Sequence, residues 1–216
     1  RAQGPDAGLY GARAAMIGGC VGTSNVLAGQ MFDVPVKGTH AHSWIMSFPD
    51  EYTAFKTYAK KYPDSCMLLV DTYDTLRSGV PNAIKVFKEL EAAGHKPKGI
   101  RLDSGDLAYL SKRTRAMLDE AGLQECKIVI SNSLDEYIIQ DLLRQGAQID
   151  MFGVGERLIT AKSEPVFGGV YKLAALEDQN GNITPKIKVS ENVEKITTPH
   201  FKQVWRLKNN QDGKYI

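Results

Sequence analysis

The sequence predicts an α/β protein whose core is a sheet of parallel β-strands, followed by a smaller antiparallel segment. Two observations favour the parallel sheet. Short apolar runs of four to seven residues alternate with helical stretches, and the alternation repeats about every 25–33 residues, which is the length of a β-α-β unit. Strands this short, with both faces apolar, are typical of a closed barrel or of a doubly wound sheet.

The strands are predicted from apolar runs that end in polar or glycine residues. They lie near 34–39, 67–71, 99–103, 127–131 and 150–154. We expect each of them except the last to be followed by a helix, with right-handed crossovers between parallel neighbours.

The helices are predicted from helical spacing of apolar residues between start and stop signals. The start signals are Pro49-Asp50-Glu51, Pro81 and Asp135-Glu136. The stop signals are Pro63, Gly94, Gly122 and Gly146. Glycine just after a helix can adopt the left-handed conformation at little steric cost, so these positions should end their helices.

The carboxyl-terminal segment has a different pattern. The strings YKLAALE at 171–177 and ITPKIKVSE at 183–191 flank a turn sequence with Asn180-Gly181, which predicts a hairpin. A second hairpin is expected in 202–216, with Asp212-Gly213 at its turn. We therefore divide the chain into residues 1–170, which contain the parallel strands, and residues 171–216, antiparallel strands that belong to or pack on a second domain.

Composition excludes some classes of protein. The formal net charge is +2, which gives no overall field that would attract nucleic acid or an anionic membrane. No apolar run is long enough to cross a bilayer and no signal peptide is visible. Three widely spaced cysteines favour reduced thiols and a cytoplasmic protein. Because the chain starts at Arg1 and stops at Ile216 within a pattern, we expect it to be a piece of a longer polypeptide without its N-terminal part.

Polar residues follow every predicted strand. The strand ends are Gly38–His42, Asp71–Asp74, Arg101–Asp106, Ser131–Ser133 and Gly153–Arg157. Ligands of parallel α/β proteins bind at the carboxyl ends of the strands, so we expect these groups to converge on one site. Asp74 and Asp135 have a simpler interpretation, since each can cap the helix that follows it.

Arg101 and Asp103 are the charged pair that most strongly indicates a ligand. An arginine within an apolar strand must reach an anion or lie at the open end of the sheet. Asp103 points to the same side if the strand continues, and the pair suits a ligand with negative charge and hydroxyl groups. Gly153 and Gly155 are either turn glycines or a phosphate cradle of backbone N–H groups.

Two histidines, His40 and His42, lie at the first strand end. Zinc binding would need further histidines from later strands, and the sequence has only His95 and His200 besides these two. Packing or capping is the alternative for His40. For His42, a nucleophile or a proton-transfer group facing the site is the preferred interpretation.

Taken together, the motifs resemble those of the nicotinate phosphoribosyltransferase family over almost the whole chain. They are RAQGPDAGLYGARAA at 1–15, GTSNVLAG at 22–29, GTHAHSW at 38–44, LLVDTYDT at 68–75, RLDSGDL at 101–107, FGVGERL at 152–158 and PVFGGVYKL at 165–173. The resemblance implies an irregular, TIM-like α/β barrel of parallel strands with an antiparallel C-terminal appendage and a second domain, usually in a homodimer. The implied reaction joins nicotinate to 5-phosphoribosyl 1-diphosphate, giving nicotinate mononucleotide and diphosphate for NAD biosynthesis.

The resemblance also implies catalytic roles. His42 matches the histidine that ATP phosphorylates, three residues after the threonine of the motif, so ATP is an expected co-substrate and His40 is incidental. Arg101 matches a residue that binds the nicotinate carboxylate or the phosphoribosyl substrate. Asp103 resembles the residue that holds the ribose hydroxyls. Mg²⁺ is expected on the substrate diphosphate, with Asp103 as the candidate contact from the protein and no metal site made of protein ligands alone.

Further substrate-binding positions follow from the same resemblance. They are Arg1, Ser24, Thr39, Ser104, Ser131, Asn132, Gly153, Gly155 and Glu156. Thr39 is expected beside nicotinate, and the loop from Gly153 to Glu156 beside the 5-phosphate. Nicotinamide-using relatives carry an acidic residue near the position of Ser24, and serine suits the acid substrate because a carboxylate would repel nicotinate.

Two other functions are compatible with parts of the pattern. One is a zinc-dependent, amidohydrolase-like barrel with His40 and His42 as ligands, and the absence of other strand-end histidines disfavours it. The other is a non-catalytic barrel fragment with a role in assembly, which the intact Arg101, Asp103 and His42 disfavour.

Overall fold

The computed structural model describes residues 2–166, 168–189, 191, 193 and 196–213. The chain divides into two compact units, 1–165 and 166–216. Within the described residues, no helix is both long and apolar enough to cross a membrane.

The first unit contains all of the described helices and the larger sheet. The α-helices are α1 (Pro5–Ile17), α2 (Val26–Phe32), α3 (His42–Met46), α4 (Glu51–Lys61), α5 (Val80–Ala92), α6 (Leu107–Glu120), α7 (Glu136–Arg144) and α8 (Glu156–Ile159). The strands are β1 (Met67–Leu69), β2 (Gly99–Leu102), β3 (Lys127–Ile130), β4 (Met151–Phe152), β5 (Ala175–Glu177) and β6 (Ile183–Pro185), the last two in the second unit.

The larger sheet has the order β1-β2-β3-β4, and every neighbouring pair is parallel. Leu69, Arg101, Val129 and Met151 are aligned across it, so the four strands end at one edge. The main hydrophobic core lies between this sheet and helices α4 to α7. The prediction of an α/β protein with a parallel sheet is therefore confirmed.

The predicted helix ends after β1, β2 and β3 are also confirmed. Gly94, Gly122 and Gly146 have φ values of 86°, 73° and 72°, the left-handed conformation that favours glycine. The chain continues from these glycines toward β2, β3 and β4, which sets the length of each crossover.

The strand predicted at 34–39 is not formed. Among the described residues, its one ladder contact is an isolated parallel bridge between Thr23 and Val36. Pro35 has no backbone N–H, and the segment instead exchanges hydrogen bonds with Thr23, which donates to Pro35 O at 2.9 Å and accepts from Lys37 N at 2.9 Å. The free edge of β1 is occupied by a side chain, because Leu69 N donates to His40 Nε2 at 3.2 Å.

The expectation that no helix follows the last strand is wrong. Helix α8 begins at Glu156, directly after Gly155. Its four residues are too few to show apolar periodicity, so the sequence pattern did not reveal it.

The connection from β1 to α5 contains a π-helical turn, Thr75–Gly79, which runs straight into α5. Asp74 caps it by accepting from Leu76 N and Arg77 N, as predicted for this residue. Gly79 packs against the end of β1, and a Cβ at this position would lie 1.7 Å from Val70 O.

Gly79→Ala is expected to destabilise the protein by about 3 kcal/mol or more, because a backbone oxygen cannot yield to a methyl group. The φ of −58° would otherwise favour alanine. Urea unfolding gives the measurement, with Gly94→Ala as control. That position has φ 86° but no atom within 4 Å of a new Cβ, so only about 1 kcal/mol of backbone strain is expected. Equal losses in the two variants would contradict the packing argument.

In the second unit, β5 and β6 pair in antiparallel register with Leu176 opposite Thr184. The turn is closed by Asp178, whose carboxylate accepts from Asn180 N and Asn182 N at 2.9 Å. The first predicted hairpin is thus confirmed. The second remains a prediction: its last residues, 214–216, lie outside the described residues, and 202–213 contain no described strand.

Candidate active site

Arg101 connects the ends of β2 and β3 to the segment before α3. Its Nε donates to Ser131 Oγ at 2.8 Å, its Nη1 to Thr39 Oγ1 at 2.9 Å and its Nη2 to Asp103 Oδ1 at 3.0 Å. Ser131 donates in turn to the same Asp103 oxygen. A guanidinium has five N–H donors in a rigid plane, so this arrangement fixes its orientation and uses three of them on protein side chains.

Asp103 lies between Arg101 and His42. Partial burial raises the pKa of its carboxyl, but the hydrogen bonds from Ser131 and Arg101 outweigh burial, and the net pKa is lowered. The carboxylate therefore carries its negative charge at neutral pH. Its second oxygen, Oδ2, lies 3.8 Å from His42 Nε2.

Asp71 is a second carboxylate of the site, to which the sequence analysis assigned no role. Its side chain is 1% exposed, and its Oδ2 accepts from Asp103 N at 2.8 Å and from Ser104 Oγ at 2.6 Å. Its Oδ1 is buried without a hydrogen-bond partner among the described residues and lies 3.8 Å from His42 Nε2. The sequence signal was its place directly after the β1 run, in an otherwise apolar context.

His42 is the first residue of α3, and its side chain is 39% exposed. Its Nδ1 lies 3.0 Å from Thr72 Oγ1, and its Nε2 faces the two carboxylates of Asp71 and Asp103. Thr72 Oγ1 can accept a proton from Nδ1 or donate its own proton to it. In the tautomer with the proton on Nδ1, the lone pair of Nε2 is available as a nucleophile or a base.

His40 belongs to the packing of the protein. It is 7% exposed, and its ring packs edge-on against Tyr58 with 4.7 Å between centroids. Its Nε2 accepts from Leu69 N, so the proton of the neutral ring is on Nδ1, near Ala41 O. Burial lowers the pKa of His40 from 6.5 to about 4.

His40→Gln is expected to remove a pH dependence of stability. Between about pH 6.5 and 4 the unfolded histidine binds a proton and the folded one does not. The free energy of unfolding therefore decreases as the pH is lowered through this window, by about 3 kcal/mol in total. Glutamine preserves an acceptor for Leu69 N without titrating. Urea unfolding at several pH values measures the difference between variant and parent. Parallel curves for the two proteins would contradict this role for His40.

The loop after β4 lies beside the same cluster. A Cβ at Gly153 would lie 3.2 Å from Ser131 Cβ, which places the loop next to a residue bonded to Arg101. Gly153 N already donates to Ile130 O at 2.7 Å. A phosphate cradle would therefore use backbone amides after Gly153.

Some predicted site residues remain apart from this cluster. Ser24 and Asn132 are exposed, and no hydrogen bond between described residues joins either of them to Arg101, Asp103 or His42. Glu156 is exposed at the start of α8. Arg1 lies outside the described residues. Asp135 caps α7, as predicted, and also pairs with Arg157.

No group of three histidine, cysteine or carboxylate side chains among the described residues is arranged to hold a metal. His95 pairs with Asp64 at 2.9 Å in the loop before β2, at the opposite end of the strands from His42. The free oxygens of Asp71 and Asp103 are the ligand type that Mg²⁺ prefers. The two oxygens would suit a Mg²⁺ ion only with further ligands from outside the protein, because three such groups are not brought together among the described residues.

Comparison with known proteins gives a consistent family. The family described as "Nicotinate phosphoribosyltransferase (NAPRTase) family" matches residues 7–209. The nicotinate phosphoribosyltransferase of Bacillus subtilis (strain 168) is 54% identical over 222 residues, covering 100% of this chain and 44% of that protein. The human protein of the same name is 34% identical over 260 residues, covering 96% of this chain and 47% of that protein.

A solved structure is also similar to this chain. The crystal structure of human nicotinic acid phosphoribosyltransferase superimposes with a TM-score of 0.67 at 32% identity, over 71% of this chain and 41% of that one. The chain thus spans less than half of the length of these relatives.

Proposed function

The chain belongs to the nicotinate phosphoribosyltransferase family, and we propose that it carries the catalytic centre of an enzyme of NAD biosynthesis. The enzyme joins nicotinate to 5-phosphoribosyl 1-diphosphate and releases nicotinate mononucleotide and diphosphate. The observation that supports this most directly is the Arg101 cluster at the common edge of the strands, beside which His42 Nε2 lies 3.8 Å from the carboxylates of Asp71 and Asp103.

The substrates are assigned to the edge of the sheet by charge. Arg101 and Thr39 bind the nicotinate carboxylate or an anionic group of the phosphoribosyl substrate, since two guanidinium donors remain beyond the three used by protein groups. Asp103 accepts from the ribose hydroxyls, with Ser104 and Ser131 nearby, and Asn132 is assigned to the surroundings of the 5-phosphate. Ser24 leaves the ring pocket without a negative charge, which favours the acid over the amide.

The 5-phosphate is assigned to the loop from Gly153 to Glu156, through backbone donors after Gly153. Bond breaking at the sugar develops positive charge on the ribose and negative charge on the diphosphate, so fixed carboxylates and fixed donors stabilise the two sides of the transition state. Mg²⁺ bound at the oxygens of Asp71 and Asp103 would neutralise negative charge on the diphosphate.

ATP enters through His42. Its Nε2 attacks the γ-phosphorus, an N–P bond forms, the bond to the β,γ-bridging oxygen breaks, and ADP leaves; water later cleaves the N–P bond. Two carboxylates face this nitrogen at 3.8 Å. A pair of unit charges about 4 Å apart repels by about 1 kcal/mol in water and about 4 kcal/mol at an effective dielectric of 20. The phosphorylated ring is therefore a high-energy state, which suits a transient coupling intermediate.

The parallel sheet is part of an irregular α/β barrel in this proposal. Its strands follow one another in sequence order, whereas a doubly wound sheet reverses direction at a switch point. Residues 171–216 belong to a second domain. From the family resemblance we retain a homodimer and a cytoplasmic location as predictions.

The proposed reaction can be tested with the purified full-length protein. It is supplied with nicotinate, 5-phosphoribosyl 1-diphosphate and Mg²⁺, with and without ATP, and nicotinate mononucleotide is measured by mass spectrometry. We expect product in both cases, more of it with ATP, and little product from nicotinamide. Absence of product, or equal use of nicotinamide, would contradict the proposal.

A further inference from the structure

Glu51 is a buried carboxylate outside the cluster around Arg101. It is the first residue of α4 and is 3% exposed. Among the residues that the structure describes, no cation forms an ion pair with it. Glutamate is almost never fully buried unless it is paired, and a buried charge costs free energy unless hydrogen bonds compensate it. The hydrogen bonds of Glu51 therefore indicate what this buried carboxylate contributes to the structure.

The carboxylate of Glu51 joins α4 to the segment that follows β1. Its Oε2 accepts from Ser78 Oγ at 2.5 Å and from Asn82 Nδ2 at 3.2 Å. Ser78 lies in the π-helical turn and Asn82 in the first turns of α5. The second oxygen, Oε1, is buried without a described hydrogen-bond partner. π-Helical turns occur frequently at functional sites.

The turn held by Glu51 also contacts the strand end that carries Asp71 and Thr72. Gly79 packs directly against the carbonyl oxygen of Val70, which is the residue before Asp71. Ser78 N and Gly79 N both donate to Asp74 O, at 3.0 and 2.9 Å. Residues 70–79 therefore form one closed loop, with His42 bonded to Thr72 on one side and Glu51 bonded to Ser78 on the other.

The helix that carries His42 is attached to the same helix as Glu51. Trp44 of α3 donates from its Nε1 to Ala54 O of α4 at 3.2 Å. Helix α4 thus holds His42 through Trp44 and holds the Thr72 loop through Glu51. The distance between His42 Nδ1 and Thr72 Oγ1 depends on both attachments.

We propose that Glu51 is a positioning residue for His42: by holding residues 71–79 on α4, its buried carboxylate keeps Thr72 in place to fix the orientation of the His42 ring. Only the kinetic consequence of this inference rests on the proposed function. Misplacing a reacting group by about 1 Å can cost about 100-fold in rate, so a loosened Thr72 loop reduces phosphoryl transfer to Nε2 without removing a group that touches substrate.

The test compares Glu51→Ala, Glu51→Gln and Glu89→Ala in the full-length protein with ¹⁵N-labelled histidine. Glutamine retains an acceptor for Ser78 and Asn82. Glu89 is the matched control, because it also joins α5 to α4, through Tyr52 and Lys56, but does not contact residues 71–79. The ¹⁵N shift of His42 Nδ1 reports its hydrogen bond with Thr72 Oγ1. We expect Glu51→Ala to change this shift and the other two variants to leave it unchanged.

Kinetics give the second measurement. We expect the ATP-stimulated kcat to fall about tenfold in Glu51→Ala, with KM for both substrates within about twofold and near-complete rescue by Glu51→Gln. Unchanged His42 shifts in a folded Glu51→Ala protein would overturn the proposal. If this variant does not fold, Ser78→Ala with Asn82→Ala removes the same hydrogen bonds from the other side, and unchanged shifts there overturn it equally. If the parent forms no nicotinate mononucleotide, the proposed function fails, whereas the shifts still decide the role of Glu51.

Discussion

Arg101→Lys is expected to lower kcat/KM for nicotinate mononucleotide formation by about 100- to 1,000-fold while the protein stays folded. Lysine keeps the positive charge, but its single nitrogen cannot reproduce a planar fork that reaches Thr39, Asp103 and Ser131 at once. Hydrogen bonds to charged groups contribute about 1.5–3 kcal/mol each. Loss of two of them, with the substrate anion held less firmly, accounts for an effect of this size. Steady-state kinetics with both substrates give the measurement.

Arg115→Lys provides the matched control for that prediction. Arg115 also uses three nitrogens on three partners, Asp119, Leu123 O and Cys126 O, at 2.7–2.8 Å. These partners lie before β3, at the opposite end of the strands from Arg101. By the same values, loss of two such bonds should cost the lysine variant about 3 kcal/mol of stability or more, whereas its kcat/KM should stay at the parent value. Parent-like kcat/KM in Arg101→Lys, or an equal loss in the two variants, would contradict the importance of the guanidinium fork.

The parts of the fold that the sequence predicted are those determined locally. Gly94, Gly122 and Gly146 end helices because only glycine adopts their backbone conformation easily. The convergence of Arg101 and Ser131 followed from parallel pairing alone, because strand ends in register must meet at one edge. Hydrophobic periodicity gives the order of these elements, and the topology then brings their polar ends together.

The parts that were missed depend on contacts between distant segments. The run at 34–39 has the composition of a strand, but Thr23 and the side chain of His40 take the hydrogen bonds that a strand pairing with β1 would have used. Asp71 and Glu51 each follow a common local pattern, a strand-end acid and an acid in the first turn of a helix. Only packing reveals that both are buried, with one oxygen lacking a described partner.

His42→Ala is expected to abolish acid-labile labelling of the full-length protein by γ-labelled ATP. The label requires a ring nitrogen that can reach a nucleotide phosphate, and Nε2 is the nitrogen of His42 that Thr72 does not engage. ATP stimulation of nicotinate mononucleotide synthesis should disappear with the label. A slow ATP-independent reaction should persist, because Arg101 and Asp103 still position the substrates. Filter binding after mild alkaline quench, and the same assay after acid treatment, give the measurement.

A variant of the neighbouring His40 tests whether His42 is the phosphate carrier. His40→Gln should keep the label, since in the parent the Nε2 lone pair of His40 accepts from Leu69 N and its ring is 7% exposed. Neither condition permits in-line attack on a nucleotide phosphate. Label that persists in His42→Ala and disappears in a folded His40→Gln would make His40 the carrier. It would also require β1 to release the His40 ring during the reaction, because the lone pair that holds the sheet edge is the one that would have to attack phosphorus.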